Sequence, residues 1–123
     1  MDKRTPHTKL HIVQKLIRLG AVQFSASVAY GADEVGLRSK MEIVTFLLRI
    51  RPTDFYKSMT TYTDSRIWQD VYQPTTASGI KLYVKFTVRW TNAAPSGDSL
   101  DAAETTYQQV LLVSFKRNTS GDN

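Results

Sequence analysis

The chain predicts an α+β domain, with N-terminal helices packed on a small C-terminal antiparallel sheet. Two changes of pattern carry this reading. Up to residue 52 the apolar residues recur at helical spacing, and Pro52 stops that register. From Ile80 to Trp90 they alternate almost without exception, the period of a strand with one buried and one wet face. A third observation sets the scale. The 123 residues suit one domain, and 41% hydrophobic content is that of a chain with a core.

The elements follow in order. Thr8 is placed to cap a first helix with Leu10, Val13, Leu16 and Ile17 on one face and Gly20 as its stop. Ser25 to Glu34 reads as a second, shorter helix ending before Gly36. Ser39 caps a third, through Ile43, Val44, Leu47 and Leu48. Thr53 and Asp54 are expected to open a single turn carrying Phe55, Tyr56 and Lys57. Arg66 to Gln73 is a strand closed by Pro74, and residues 75–79 form a hairpin loop. The alternating run then sends Ile80, Leu82, Val84, Phe86, Val88 and Trp90 to one face. Lys81, Tyr83, Lys85, Thr87 and Arg89 go to the other. Val110 to Lys116 is a third strand, with Phe115 inward and Lys116 outward.

Charge separates the body from an insert. Sixteen Lys and Arg against eleven Asp and Glu give +5. Residues 92–109 hold Asp98, Asp101 and Glu104 and no cation, and the tail holds Asp122. Setting aside that stretch and residues 118–123 leaves 99 residues with all sixteen cations and seven acids, a surplus of +9. Dense positive charge raises polyanion affinity and encounter rate. A solvated surface that only maintains solubility has the same composition. On the wet strand face, Lys81, Lys85 and Arg89 are interleaved with Tyr83, and Lys116 lies on the strand alongside. Cations among aromatics grip a phosphate backbone and stack bases, although strands favour Tyr and Lys-rich polar faces on structural grounds alone.

Several classes are excluded or left unsupported. Without cysteine there is no cystine framework and no thiolate zinc site. The six glycines form no phosphate loop or dinucleotide fingerprint. His7 and His11 are four apart, but no carboxylate or thiol stands between them, and both read as ordinary surface residues. The apolar stretch from Ile43 to Ile50 is too short and too interrupted to span a membrane. Lys15 and Arg18 break any signal-peptide core, and the expected location is the cytoplasm. No cofactor is expected.

Three segments take the reading further: KRTPHTKL (Lys3 to Leu10), DFYKSMTTYTDSRIWQDVYQP (Asp54 to Pro74) and LLVSFKRN (Leu111 to Asn118). They resemble the motility quorum-sensing regulator (MqsR) toxins, within the RelE-like group of bacterial toxin–antitoxin ribonucleases. ADEVGL (Ala32 to Leu37) and LYVKFTV (Leu82 to Val88) extend the likeness, so that it covers residues 1–118 apart from the insert. The resemblance implies a RelE-like fold, cleavage of mRNA at GC-containing sites such as GCU, and growth arrest or persistence when unopposed. It also implies neutralisation by an antitoxin of the MqsA type, with DNA contacted only through that complex. The family's proposed catalytic residues fall on Lys57, Gln69, Tyr83 and Lys116. Lys81, Lys85, Arg89, Tyr56 and Arg117 are expected to bind RNA around them. The chemistry needs no metal, because the 2′-hydroxyl of RNA is its own nucleophile. Neighbouring cations are expected to draw a Lys or Tyr pKa down towards neutrality. Lys57 and Tyr83 are expected to transfer protons, Lys116 to meet transition-state charge and Gln69 to hold phosphate or ribose; which of the first two is acid and which is base stays open.

The chain departs from the family in the insert, expected as a long loop that sits at the sheet edge or covers the RNA face. The tail from Thr119 is expected to be disordered. Two other readings remain: a non-catalytic RNA- or ribosome-binding module, and an antitoxin-binding subunit of a repressor.

Overall fold

In the computed structural model, which describes residues 1–91 and 107–119, three helices pack on one face of a six-stranded sheet. The acidic segment 92–106 and the tail beyond Thr119 lie outside the described residues. In chain order the elements are β1 (Asp2–Lys3), α1 (Leu10–Arg18), β2 (Val22–Phe24), α2 (Ala26–Glu34) and α3 (Lys40–Leu47). A 3₁₀ turn (Pro52–Asp54) leads into β3 (Phe55–Thr60), β4 (Trp68–Tyr72), β5 (Leu82–Thr91) and β6 (Tyr107–Arg117). The α+β class expected from the sequence is the class observed.

Helix α1 buries Leu10, Val13 and Ile17, and Gly20 ends it at φ 80°, a conformation glycine adopts without a Cβ penalty. Its expected cap, Thr8, does not cap: the helix begins after Lys9, and the Thr8 amide donates to Asp70 instead. Ser39 does cap α3, accepting from the Glu42 amide at 3.1 Å. Helix α2 lies so close to β6 that a Cβ on Gly31 would overlap the Phe115 carbonyl oxygen.

The strand order is β1-β3-β4-β5-β6-β2. The sheet is mixed, not purely antiparallel as expected, because the short edge strand β2 runs parallel to β6. Neither two-residue β1 nor three-residue β2 is long enough to show a period, so neither was anticipated. A second correction concerns Phe55, Tyr56 and Lys57, expected on a turn. The turn ends at Asp54, and these residues open β3, with a bulge at Tyr56 between Phe55 and Lys57. A third concerns Tyr107 to Gln109, which were expected in the loop and pair with β5 as the start of β6.

The core lies between helices and sheet. Val13, Val28, Leu47, Tyr72, Leu82, Val84, Phe86, Leu112 and Phe115 are buried in it. The alternation in β5 is borne out from Leu82 to Phe86. It then outruns the core: Val88 is only partly buried and Trp90, expected inward, is 66% exposed. Opposite Lys85 and Phe86, β6 carries one extra residue, Val113. The Ser25 hydroxyl donates to the Val113 carbonyl at 2.8 Å, satisfying backbone that the ladder leaves over.

Candidate active site on the open sheet face

The sheet face away from the helices carries the candidate residues, and strand register decides which of them meet. Lys57 pairs with Val71, Val71 with Lys85, and Lys85 with Ser114, so one row crosses four strands. In the next row Tyr83 is directly opposite Lys116. Residues paired across antiparallel strands share a face with Cβ atoms about 5 Å apart. The Lys116 ammonium lies 5.6 Å from the Tyr83 ring centroid, within cation–π range. Val71 belongs to the same face yet is fully buried.

The remaining expected residues fall at graded distances. Gln69, paired with Met59, shares the open face two residues along β4 from the Lys57–Val71 pair, roughly 7 Å away. Tyr56, on the bulge, is 39% exposed, and the Lys57 ammonium lies 5.4 Å from its ring centroid. Lys81 is exposed just before β5, on the Tyr83 side by alternation. Arg89 shares the face but sits four residues from Lys85, roughly 13 Å along the strand, where its Nε donates to Gln109 Oε1 at 3.0 Å. Arg117 is not brought to the cluster: it pairs with Leu82, whose side chain faces the helices.

Burial and charge act against each other on this face. The Tyr83 hydroxyl is pushed above the ordinary tyrosine value, first by burial and then by Tyr56, while Lys57 opposes the shift. The expectation that neighbouring cations draw Tyr83 down is therefore not met, because desolvation of a phenolate outweighs one nearby ammonium. Lys85 moves downward, first through burial and then through repulsion from Lys116. A phenol shifted upward and an amine shifted downward stand two residues apart on one strand.

Sequence reasoning missed two contributors from the N-terminal segment. The Asp2 carboxylate forms an ion pair with Lys57 at 3.3 Å, and the Arg4 guanidinium lies 5.9 Å from the Tyr56 ring centroid. No signal in a two-residue strand could have placed them. His7 is more than a surface residue: its ring stacks on Trp68 at 5.7 Å, and the Lys3 ammonium lies 4.2 Å from the Trp68 ring centroid. His7 precedes α1, so it does not share a helix face with His11. Among the described residues no group of three His, Asp or Glu is placed to hold a metal ion. A groove of about 700 Å³ between α3 and residues 74–78, which include Pro74 and Ser78, holds none of the candidate residues.

The sequence that builds this face has counterparts among known proteins. The family model described as motility quorum-sensing regulator, toxin of MqsA, matches residues 5–94. The chain belongs to the MqsR toxin family. It is also similar to the mRNA interferase toxin MqsR of Escherichia coli (strain K12), 47% identical over 116 residues, covering 94% of this chain and 98% of the relative. The MqsR match includes the whole of β3, β4 and β5, and with them Lys57, Gln69 and Tyr83.

Proposed function

We propose that this MqsR-family chain is an mRNA interferase, an endoribonuclease that arrests growth by cutting mRNA and is held in check by an antitoxin of the MqsA type. We assign its preference to GC-containing sites such as GCU, and its contact with DNA to the antitoxin complex alone. The observation that supports this most is the Tyr83–Lys116 pair flanked by Lys57 and Lys85 on one open face.

The reaction breaks one bond and makes one. The 2′-oxygen forms a bond to the adjacent phosphorus, the bond from phosphorus to the 5′-oxygen breaks, and a 2′,3′-cyclic phosphate and a 5′-hydroxyl result. One proton must leave the 2′-hydroxyl and one must reach the 5′-oxygen. Tyr83, shifted upward, retains its proton at neutral pH and suits the donor role. Lys85, shifted downward, is the amine suited to accept one. Lys57 and Lys116 are cations aimed at the charge that grows on the phosphoryl oxygens, and Gln69 is in reach of phosphate or ribose. Because the substrate supplies its own nucleophile, cleavage should proceed in excess EDTA. Among the described residues no helix is long and apolar enough to cross a membrane.

The test uses purified protein, a GCU-containing RNA and EDTA. Fragments ending in a cyclic phosphate are expected, with Tyr83→Phe slowed about 10²-fold or more. Activity lost on chelation, or unchanged in Tyr83→Phe combined with Lys57→Ala, would refute the mechanism. RNA retained without cutting would make the chain a binding module instead.

A further inference from the structure

The N-terminal strand reaches the open face through a built attachment. The Met1 ammonium donates to Thr60 Oγ1, and the Thr60 amide donates to the Met1 carbonyl. β1 pairs with β3 through Asp2 with Met59 and Lys3 with Ser58. Lys3 packs on Trp68, and the His7 and Thr8 amides both donate to the buried Asp70 carboxylate. Opposite Met59, Asp2 projects to the face that Lys57, two residues earlier on β3, also occupies. There its Oδ2 accepts from Lys57 Nζ at 3.3 Å. Arg4, from the same segment, lies over Tyr56, the residue beside Lys57.

We infer that Asp2 is a positioning residue of the site, holding the Lys57 ammonium at the edge of the face before RNA arrives. The inference rests on the ribonuclease reading above. A lysine carries four rotatable side-chain bonds, and one left to search its rotamers meets the transition state with an ordering cost. Fixing it beforehand favours the transition state over a loosely bound substrate. The same carboxylate opposes an incoming phosphate. Removing it should therefore weaken turnover without weakening binding. The pair is also a poor source of stability, since Asp2 is about half exposed and such ion pairs contribute little to folding. Catalytic and structural roles thus separate experimentally.

The experiment measures kcat, KM and Tm for the untagged full chain on a GCU-containing RNA at fixed salt. Wild type is compared with Asp2→Asn, Asp2→Glu, Lys57→Ala and the Asp2→Asn/Lys57→Ala double variant. Asp2→Asn should lower kcat about 10-fold with KM unchanged or smaller and Tm within about 2 °C, by the misplacement argument. Asp2→Glu should recover most of the loss, and Asp2→Asn should add nothing once Lys57 is alanine. Wild-type kcat in Asp2→Asn overturns the inference, as does a loss appearing mainly in KM or one of equal size in the Lys57→Ala background. An acid limb of the pH–rate profile that vanishes in Asp2→Asn makes Asp2 the proton acceptor, and overturns positioning. Active wild type with an indifferent Asp2 refutes this inference alone, whereas wild type that cuts no RNA removes it together with the ribonuclease reading.

Discussion

Asp70 joins the fold to the site, and replacing it by alanine tests that connection. Its carboxylate is 3% exposed and accepts three bonds: from Ser58 Oγ at 2.6 Å, from the His7 amide at 3.0 Å and from the Thr8 amide at 3.1 Å. The three do not weigh equally. Ser58 is fully buried, so its hydroxyl finds no water when the carboxylate goes, and a bond to a charged acceptor contributes about 1.5–3 kcal/mol. His7 is exposed and Thr8 half-buried, so water partly replaces the carboxylate there, and each loss costs about 0.5–1 kcal/mol. Asp70→Ala should therefore cost about 3–4 kcal/mol, seen as a lower urea midpoint at constant m-value. For a chain of this length that corresponds to a Tm drop of roughly 10–15 °C. Asp70→Asn keeps one acceptor oxygen and should fall between. Because the same carboxylate anchors the segment that carries Asp2, the His7 and Thr8 amides should lose hydrogen-exchange protection, and turnover should fall further than stability alone explains. A loss below about 1 kcal/mol, or amides that remain protected in Asp70→Ala, would show that the N-terminal segment is held by its strand pairing and that Asp70 is incidental.

Two further outcomes follow from close packing and from burial. Gly31→Ala places a Cβ onto the Phe115 carbonyl oxygen and near the Lys116 side chain, so α2 must move off β6; a loss of about 2–3 kcal/mol is expected in chemical denaturation, together with slower RNA cleavage through displacement of Lys116. The Tyr72 hydroxyl is buried with no hydrogen-bond partner among the described residues, so Tyr72→Phe should be neutral or stabilising by up to about 1 kcal/mol at pH 7. Burial first, and then Asp70, raise the folded-state pKa of Tyr72 above its unfolded value. Its contribution is therefore intact below the unfolded value and is lost as pH rises beyond about 10. Stability measured from pH 8 to 11 should decline less in Tyr72→Phe than in wild type, and parallel declines would contradict the burial argument.

What the sequence revealed depended on the range of the interaction concerned. Local signals served well where the determinant lies within a few residues. Ser39 capping α3 and the alternation from Leu82 to Phe86 are of this kind. The alternation also put Tyr83 and Lys85 on one face before any pairing was known. Register was not legible, because it joins residues far apart in the chain: Tyr83 meets Lys116, and Lys57 meets Lys85 only through Val71. The resemblance to a family supplied Lys57, Gln69, Tyr83 and Lys116 as a set, without saying how they are held. Thr8 shows why local reasoning failed at the N-terminus. It has the chemistry of a helix cap, but an amide 62 residues from Asp70 found a buried charged acceptor there, and the helix began later.

The same contrast of range explains the electrostatics of the site. Counting charges along the chain gives a strongly basic body and suggests that every titratable group on the face is drawn towards neutrality. In the fold, burial acts on each group separately, and it disfavours whichever form is charged. For Lys85 burial and the neighbouring cation act in the same direction, and the pKa falls. For Tyr83 they oppose each other, burial is the larger, and the pKa rises. A uniform field of lysines would shift amines and phenols together; partial burial on a crowded face moves them apart. Acid and base catalysis at one pH draws on such a separation, and in the proposed mechanism Lys and Tyr on this face provide it.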